Sequence, residues 1–309
     1  MGDVVHALPL AADLARNVPD AQIDWLVEES FATIPAMSRH VANVRQLALR
    51  RWRRRPFQPR TRSEIAAVKA DLRRAEYDWV LDAQGLLKSA WVARWAGAPV
   101  AGFSSRSARE QLASMFYARR FDIPRDLHAV DRCRQLGALA FGYRIEDAPQ
   151  FDLVAPPAPS IELTPPYAAL LNNASRETKL WPESDWINVE GWLAQQGISS
   201  VLFAGNSEEE DRARELARRM QRATVAPRSS IAAIAGVLMQ ARLVVGLDTG
   251  LSHLAAALGR PTVAIYCDYD PRLVGLIGSG PVESLGGVDR RPAANEVIDA
   301  VQRVLERSQ

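Results

Sequence analysis

Cysteine is scarce in this chain: Cys133 and Cys267 are its two, far apart in sequence. That excludes a disulfide framework and the paired spacings of a zinc site, and it suits a reducing compartment. Long apolar runs are also missing. A helix that spans a bilayer needs about 20 consecutive apolar residues, and the nearest approach, residues 231–239, is a short Ala-rich stretch. Internal repeats and low-complexity tracts are absent. Neither sign of charge dominates: the formal net charge is +2 over 309 residues, far from the footprint of a nucleic-acid-binding protein, and no nucleic-acid module is recognisable.

What is present is an ordinary globular composition, 48% hydrophobic and 24% charged, in a chain long enough for two domains. Short β-rich runs alternate with helical runs from end to end, the pattern of parallel α/β layers. In the first half the pattern predicts strands over residues 22–27, 44–49, 79–82 and 100–103, with helices over 62–75, 88–96 and 129–141. The alternation restarts at residue 168. Strands are expected over 168–171, 200–204, 224–226, 243–247 and 262–266, with helices over 184–196, 208–220, 231–240, 251–258 and 293–307.

Between the halves, Pro156, Pro157, Pro159, Pro165 and Pro166 stand too densely for helix or ladder. The expected organisation is therefore a domain over 1–155, a linker over 156–166 and a second domain over 167–309. Two doubly wound domains offer their carboxyl edges to ligands, so a central cleft is the expected site. The N-terminus is unusual, because a helix from Asp3 to about residue 16 opens the chain with no strand before it. A doubly wound sheet normally starts with a central strand, and leaving it out exposes two inner edges.

The most informative stretch is Val244-Val245-Gly246-Leu247-Asp248-Thr249-Gly250-Leu251-Ser252-His253. It reads as a buried strand ending in a carboxylate, a glycine turn and a helix start. Free N–H groups, a hydroxyl and an imidazole then gather at a helix N-terminus, a setting that favours phosphate. Lys179, in a polar loop after the second domain's first strand, is either a solvated lysine or a cation for a departing diphosphate. Asp3 is either a plain N-cap or a general base. Asp82-Ala83-Gln84-Gly85-Leu86-Leu87-Lys88 ends another strand and enters a helix, and is either a routine strand–helix loop or one whose Lys88 binds an acidic substrate. Residues 50–55 (Arg50-Arg51-Trp52-Arg53-Arg54-Arg55) form a dense basic block, read as a site for a multiply anionic substrate or a membrane surface. Asp268-Tyr269-Asp270 matches the Asp-x-Asp metal pair of some sugar-nucleotide transferases. Three residues match by chance in a chain this long, and the pair is read as structural.

Taken together, these motifs resemble the inverting heptosyltransferases of lipopolysaccharide core biosynthesis, a family with the GT-B fold. The resemblance rests on Met1-Gly2-Asp3-Val4-Val5-His6-Ala7-Leu8-Pro9, Asp24-Trp25-Leu26-Val27-Glu28-Glu29 with Phe31, Arg50-Arg51-Trp52-Arg53, and Asp82-Ala83-Gln84-Gly85-Leu86 with Lys88-Ser89-Ala90. It continues through Ala108-Arg109-Glu110 with Leu112-Ala113-Ser114, Lys179 with Trp181-Pro182-Glu183, and Asp248-Thr249-Gly250-Leu251-Ser252-His253-Leu254. The segments span almost the whole chain in the family's order. Residues 82–90 and 108–114 fit the branch that adds the first heptose.

The resemblance implies two Rossmann-like domains and metal-independent transfer of L-glycero-D-manno-heptose from ADP-heptose to the inner Kdo of Kdo2-lipid A. By motif, Asp3 falls on the family's catalytic base and Lys179 on its donor-phosphate lysine. Ser175, Glu209, Asp248, Thr249, Gly250 and His253 fall on donor-binding positions. Arg50, Arg54, Lys88 and Arg109 fall on acceptor-side positions, with Arg54 replacing a lysine. No cofactor is implied beyond the donor. The expected setting is a monomer in peripheral contact with the cytoplasmic face of the inner membrane.

Two departures accompany the match. Asn172-Asn173-Ala174-Ser175 stands where the family has a His-Ala-Thr-Thr type sequence, and the family's opening strand and Ser-rich turn are absent. An upstream in-frame segment encoding a short apolar strand is therefore expected. A transferase for a later core acceptor, or a non-catalytic nucleotide-sugar binder, is the alternative reading.

Overall fold

A computed structural model describes residues 1–158 and 163–308. Part of the proline-rich stretch expected as a linker thus lies outside the described residues. The chain divides into two compact units. The N-terminal unit comprises His6–Ala36 and His40–Ala148; the C-terminal unit comprises Met1–Val5, Met37–Arg39 and Pro149–Gln309.

The chain opens with α1 (Gly2–Asn17), β1 (Asp24–Glu28), α2 (Thr33–Ala36), β2 (Asn43–Leu47), α3 (Leu49–Arg54) and α4 (Pro59–Arg74). Next come β3 (Val80–Asp82), α5 (Leu87–Ala93), β4 (Val100–Phe103), β5 (Arg119–Phe121) and α6 (Ala129–Phe141). All the pairing in the N-terminal unit is parallel, but the sheet stands in two pieces. β1 pairs with β2, while β3, β4 and β5 form a separate three-stranded piece. β1 and β3 each have a single strand partner.

Side-chain packing spans both pieces. On one face, Trp25 of β1 and Leu81 of β3 share a cluster with Ala7, Leu10 and Leu14 of α1 and Cys133 of α6. On the other, Leu26 and Val80 pack with Trp52, Leu72 and Trp95. A buried ion pair joins the helices of the first face. Arg134 donates to Asp13 from Nε at 2.7 Å and from a terminal nitrogen at 3.0 Å, and that terminal nitrogen also reaches the Asp147 carbonyl at 2.8 Å.

The C-terminal unit runs β6 (Tyr167–Leu171), α7 (Glu183–Gln195), β7 (Ser199–Leu202), α8 (Ser207–Arg218), β8 (Ala223–Val225), α9 (Ile231–Gln240), β9 (Leu243–Leu247) and α10 (Gly250–Ala257). It closes with β10 (Thr262–Tyr266), α11 (Pro271–Val274), β11 (Val282–Gly286) and α12 (Ala294–Glu306). Its six strands are parallel in the order β11-β10-β9-β6-β7-β8. β6, β9 and β10 are buried throughout, as strands covered by helices on both faces must be. The order reverses between β6 and β9, where Leu171 pairs with Gly246. A doubly wound sheet opens its ligand crevice beyond the carboxyl ends of the strands at such a reversal.

Candidate active site

The segments leaving β6 and β9 line the crevice. After β6 the chain passes through Asn172 to Ser175 into a 3-10 turn, Glu177–Lys179. After β9 it passes Asp248 and Thr249 into α10, with Thr249 at the N-cap position in extended geometry. Because these strands are neighbours, Lys179 meets Asp248 across 69 residues of sequence: its Nζ donates to the carboxylate Oδ2 and, at 3.2 Å, to the backbone carbonyl. On the other side of the carboxylate, His253 Nε2 lies 3.4 Å from Oδ1.

Burial alone would raise the Asp248 carboxyl, but hydrogen bonds from His253 and Lys179 outweigh it and hold the group below its ordinary value. An ammonium carries three N–H donors, so Lys179 keeps donor capacity beyond its two bonds to Asp248.

Small residues shape the turn. A Cβ on Gly246 would meet Ser252 Oγ and lie 3.0 Å from Leu171 Cβ. The bare backbone lets Ser252 Oγ donate to the Leu247 carbonyl at 2.6 Å and lock α10 to its strand. The first N–H groups of α10 have no acceptor within the helix. Gly250 is covered by Met1, whose Cγ and Sδ would lie 2.6 and 2.7 Å from a Cβ built there.

Met1 also caps α1, because its carbonyl accepts from Val4 N at 2.9 Å and Val5 N at 3.2 Å. Asp3 is therefore not the cap that its sequence position suggests. It lies inside the first turn, exposed, at the positive end of the helix dipole. The start of α1 and the turn after β9 thus belong to one unit and touch through Met1 and Gly250.

Ser175 is exposed on the bend after β6. Glu209 lies in the first turn of α8, beyond the neighbouring strand β7. Its carboxylate accepts from Gly205 N at 2.7 Å and Asn206 Nδ2 at 3.0 Å, while Glu209 N donates to Asn206 Oδ1 at 2.9 Å. This reciprocal cap fixes the carboxylate and leaves lone pairs free for a ligand hydroxyl. Asn173 Nδ2 donates to the Phe203 carbonyl at 2.7 Å and ties the two loops together.

The four cations expected on the acceptor side, Arg50, Arg54, Lys88 and Arg109, all lie in the N-terminal unit. Arg50 and Arg54 stand one turn apart on α3, and the Glu28 carboxylate caps that helix by accepting from Leu49 N and Arg50 N, each at 3.1 Å. The basic block is thus a helix with mixed duties. Trp52 is buried and donates to Glu64 at 2.7 Å, and Arg51 pairs with Glu29 and Glu64. Lys88 and Arg109 are the other two. Gly85 turns between them at φ +67°, a left-handed conformation that an L side chain rarely adopts. Asp82 holds this turn from below, accepting from Gln84 N at 2.9 Å, Ser89 Oγ at 2.8 Å and Tyr117 Oη at 2.7 Å.

Thr178 and Asp268 carry no motif signal toward each other. Thr178 Oγ1 donates to Asp268 Oδ2 at 2.6 Å, which pins the turn bearing Lys179 to the end of β10. Asp268 Oδ1 is buried and has no hydrogen-bond partner. The Asp-x-Asp pair does not converge: Asp270 binds Arg272 and caps α11. Among the described residues, no group of three or more His, Cys, Asp or Glu side chains is placed to hold a metal.

Residues 65–292 match the family described as Glycosyltransferase family 9 (heptosyltransferase). Lipopolysaccharide heptosyltransferase 1 of Pseudomonas aeruginosa is 42% identical over 284 residues, covering 91% of this chain and 80% of that protein. Among solved structures, E. coli heptosyltransferase WaaC with ADP is 37% identical with a TM-score of 0.88, covering 98% of this chain and 96% of that one. The same enzyme with ADP-2-deoxy-2-fluoro heptose gives 36% identity, a TM-score of 0.84 and the same coverage. The two α/β units, with this likeness, give the fold as GT-B.

Proposed function

The chain belongs to glycosyltransferase family 9, the heptosyltransferases, and on that footing we propose that it transfers L-glycero-D-manno-heptose from ADP-heptose to the inner Kdo of Kdo2-lipid A. The observation that carries the donor half is the meeting of Lys179 with Asp248, which leads through Thr249 into the helix that starts at Gly250, at the β6/β9 reversal. A lysine beside open helix N–H groups is what a diphosphate requires. The donor named for the related structure, ADP-2-deoxy-2-fluoro heptose, supports the same assignment.

The chemistry is one displacement at the anomeric carbon. Asp3 accepts the proton of the attacking Kdo hydroxyl as the new C–O bond forms. The bond from the anomeric carbon to the phosphate oxygen breaks, and its electron pair leaves with ADP. Lys179 and the first N–H groups of α10 meet the charge growing on that oxygen. His253 holds the far side of Asp248, so the carboxylate keeps Lys179 in place and its remaining donor capacity serves the phosphate. Ser175 and the fixed Glu209 carboxylate contact the nucleotide sugar. Arg50, Arg54, Lys88 and Arg109 bind the phosphates and carboxylates of the acceptor, for which bidentate arginine is suited.

The test is release of ADP from ADP-heptose in the presence of Kdo2-lipid A. Release that requires the acceptor supports the proposal. Donor binding without release, or release only with a more extended core acceptor, overturns the acceptor assignment. No helix among the described residues is long and apolar enough to cross a membrane. In this reading the chain meets its lipid acceptor peripherally, at the cytoplasmic face of the bilayer.

A further inference from the structure

Four large apolar side chains of the N-terminal unit stand in water on two adjoining elements. Trp91 is 50% exposed and Leu87 38% on α5; Leu112 is 60% and Met115 70% on the 3-10 helix Gln111–Phe116. A lone exposed apolar residue is ordinary, but these are aligned. Leu87 and Trp91 are four apart on an α-helix and share a face. Leu112 and Met115 are three apart on a 3-10 helix, where such side chains eclipse. The two elements are packed together through Ala90 and Ala113, which share one buried cluster. The seam is further tied by Leu87 N, which donates to Glu110 Oε2 at 2.6 Å.

Cations flank the seam. Lys88 lies beside Leu87 in sequence, and Lys69 Nζ stands 5.8 Å from the centre of the Trp91 ring. The carboxylate of Glu110 is turned into the Leu87 backbone. An apolar strip with a tryptophan and a lysine border is the make-up of a surface that enters the headgroup layer of an anionic bilayer. A second copy of the chain is the poorer occupant, since a two-fold contact would set the same lysines against each other.

We propose that Leu87, Trp91, Leu112 and Met115 form a membrane-docking face that inserts into an anionic lipid leaflet and brings Lys88 and Arg109 to the headgroup of a lipid acceptor. The proposal rests on the reading of the acceptor as a lipid, and its first readout, vesicle binding, needs no turnover.

The full chain is floated with vesicles of equimolar phosphatidylglycerol and phosphatidylethanolamine, and with phosphatidylcholine vesicles as the neutral control. Binding to the anionic vesicles, lowered about tenfold in L112S/M115S, is expected. ADP release with a deacylated, water-soluble acceptor should be unchanged in that variant. Equal binding by variant and wild type, or no binding by the wild type, overturns the face. So does loss of turnover on the soluble acceptor in a folded variant. Should L112S/M115S fail to fold, the wild type is read alone. Its tryptophan fluorescence should be quenched by vesicles with brominated acyl chains, the quenching falling in W91F, and an unchanged W91F signal overturns the proposal. Vesicle binding without any ADP release by the wild type sinks the heptosyl-transfer reading instead and leaves the face standing.

Discussion

Met1 occupies the space that a side chain on Gly250 would need: a Cβ there would lie 2.6 Å from Met1 Cγ and 2.7 Å from its Sδ. Gly250 is therefore required for contact with the start of α1, and in the proposed reaction it also lets a phosphate approach. G250A should push the first turn of α1, and Asp3 with it, away from the turn after β9. Displacement of a reacting group by about 1 Å costs on the order of a hundredfold, so kcat should fall by at least about tenfold. Titration calorimetry with ADP, run beside the turnover assay, separates this from a loss of binding.

Asp3 as the proton acceptor predicts that D3N loses about a hundredfold to ten-thousandfold in kcat with ADP affinity unchanged. D3E, which keeps the carboxylate on a longer stem, should recover part of the rate. Full activity in D3N removes the base assignment.

Lys179 and Asp248 predict an acid limb. The Asp248 carboxyl sits below its ordinary value of 3.8 in the fold, so its contribution to stability is present above that pH and is lost as pH falls through the folded-state value. Wild type should therefore be more heat-stable than D248N near neutrality, and the gap in Tm should close below about pH 4. Calorimetry across that range checks the sign. K179M should weaken ADP binding and lower kcat together.

Thr178 and Asp268 are tied at 2.6 Å beside Lys179. T178V and D268N should each lower kcat several-fold, about 1 kcal/mol for one hydrogen bond. T178S, which keeps the hydroxyl, should restore the rate. An equal loss in T178S would mean that the turn is not held by this bond.

Asp13 and Arg134 form an ion pair with both side chains 4% exposed. Removing one partner leaves a buried charge, so D13A should destabilise the protein by about 3–5 kcal/mol. Replacing both, as D13L/R134M, should recover much of that loss. Chemical denaturation of the single and double variants gives the comparison.

Strongly apolar segments could be read directly from the chain. The predicted spans 100–103, 129–141, 231–240, 243–247 and 262–266 coincide with β4, α6, α9, β9 and β10. Buried elements need continuous or periodic apolar residues, and that requirement is written locally. Edge elements need it less. β5 carries exposed Arg119 and Arg120, and β11 is half-buried along its length, so neither announced itself. The Arg-rich block gave no helix signal either, since α3 is placed by one buried tryptophan and a cap from Glu28.

The amino-acid sequence alone determined the α/β alternation, the motif order that marks the family and the residue types at each turn. Only the tertiary structure decided which turns meet. β6 and β9 become neighbours because the strand order reverses between them, and that sets Lys179 on Asp248. Met1 meets Gly250, and Thr178 meets Asp268, through packing of segments distant in the chain. Local sequence fixes how each segment folds, whereas proximity between segments comes from burying their shared apolar faces, which no short stretch encodes by itself.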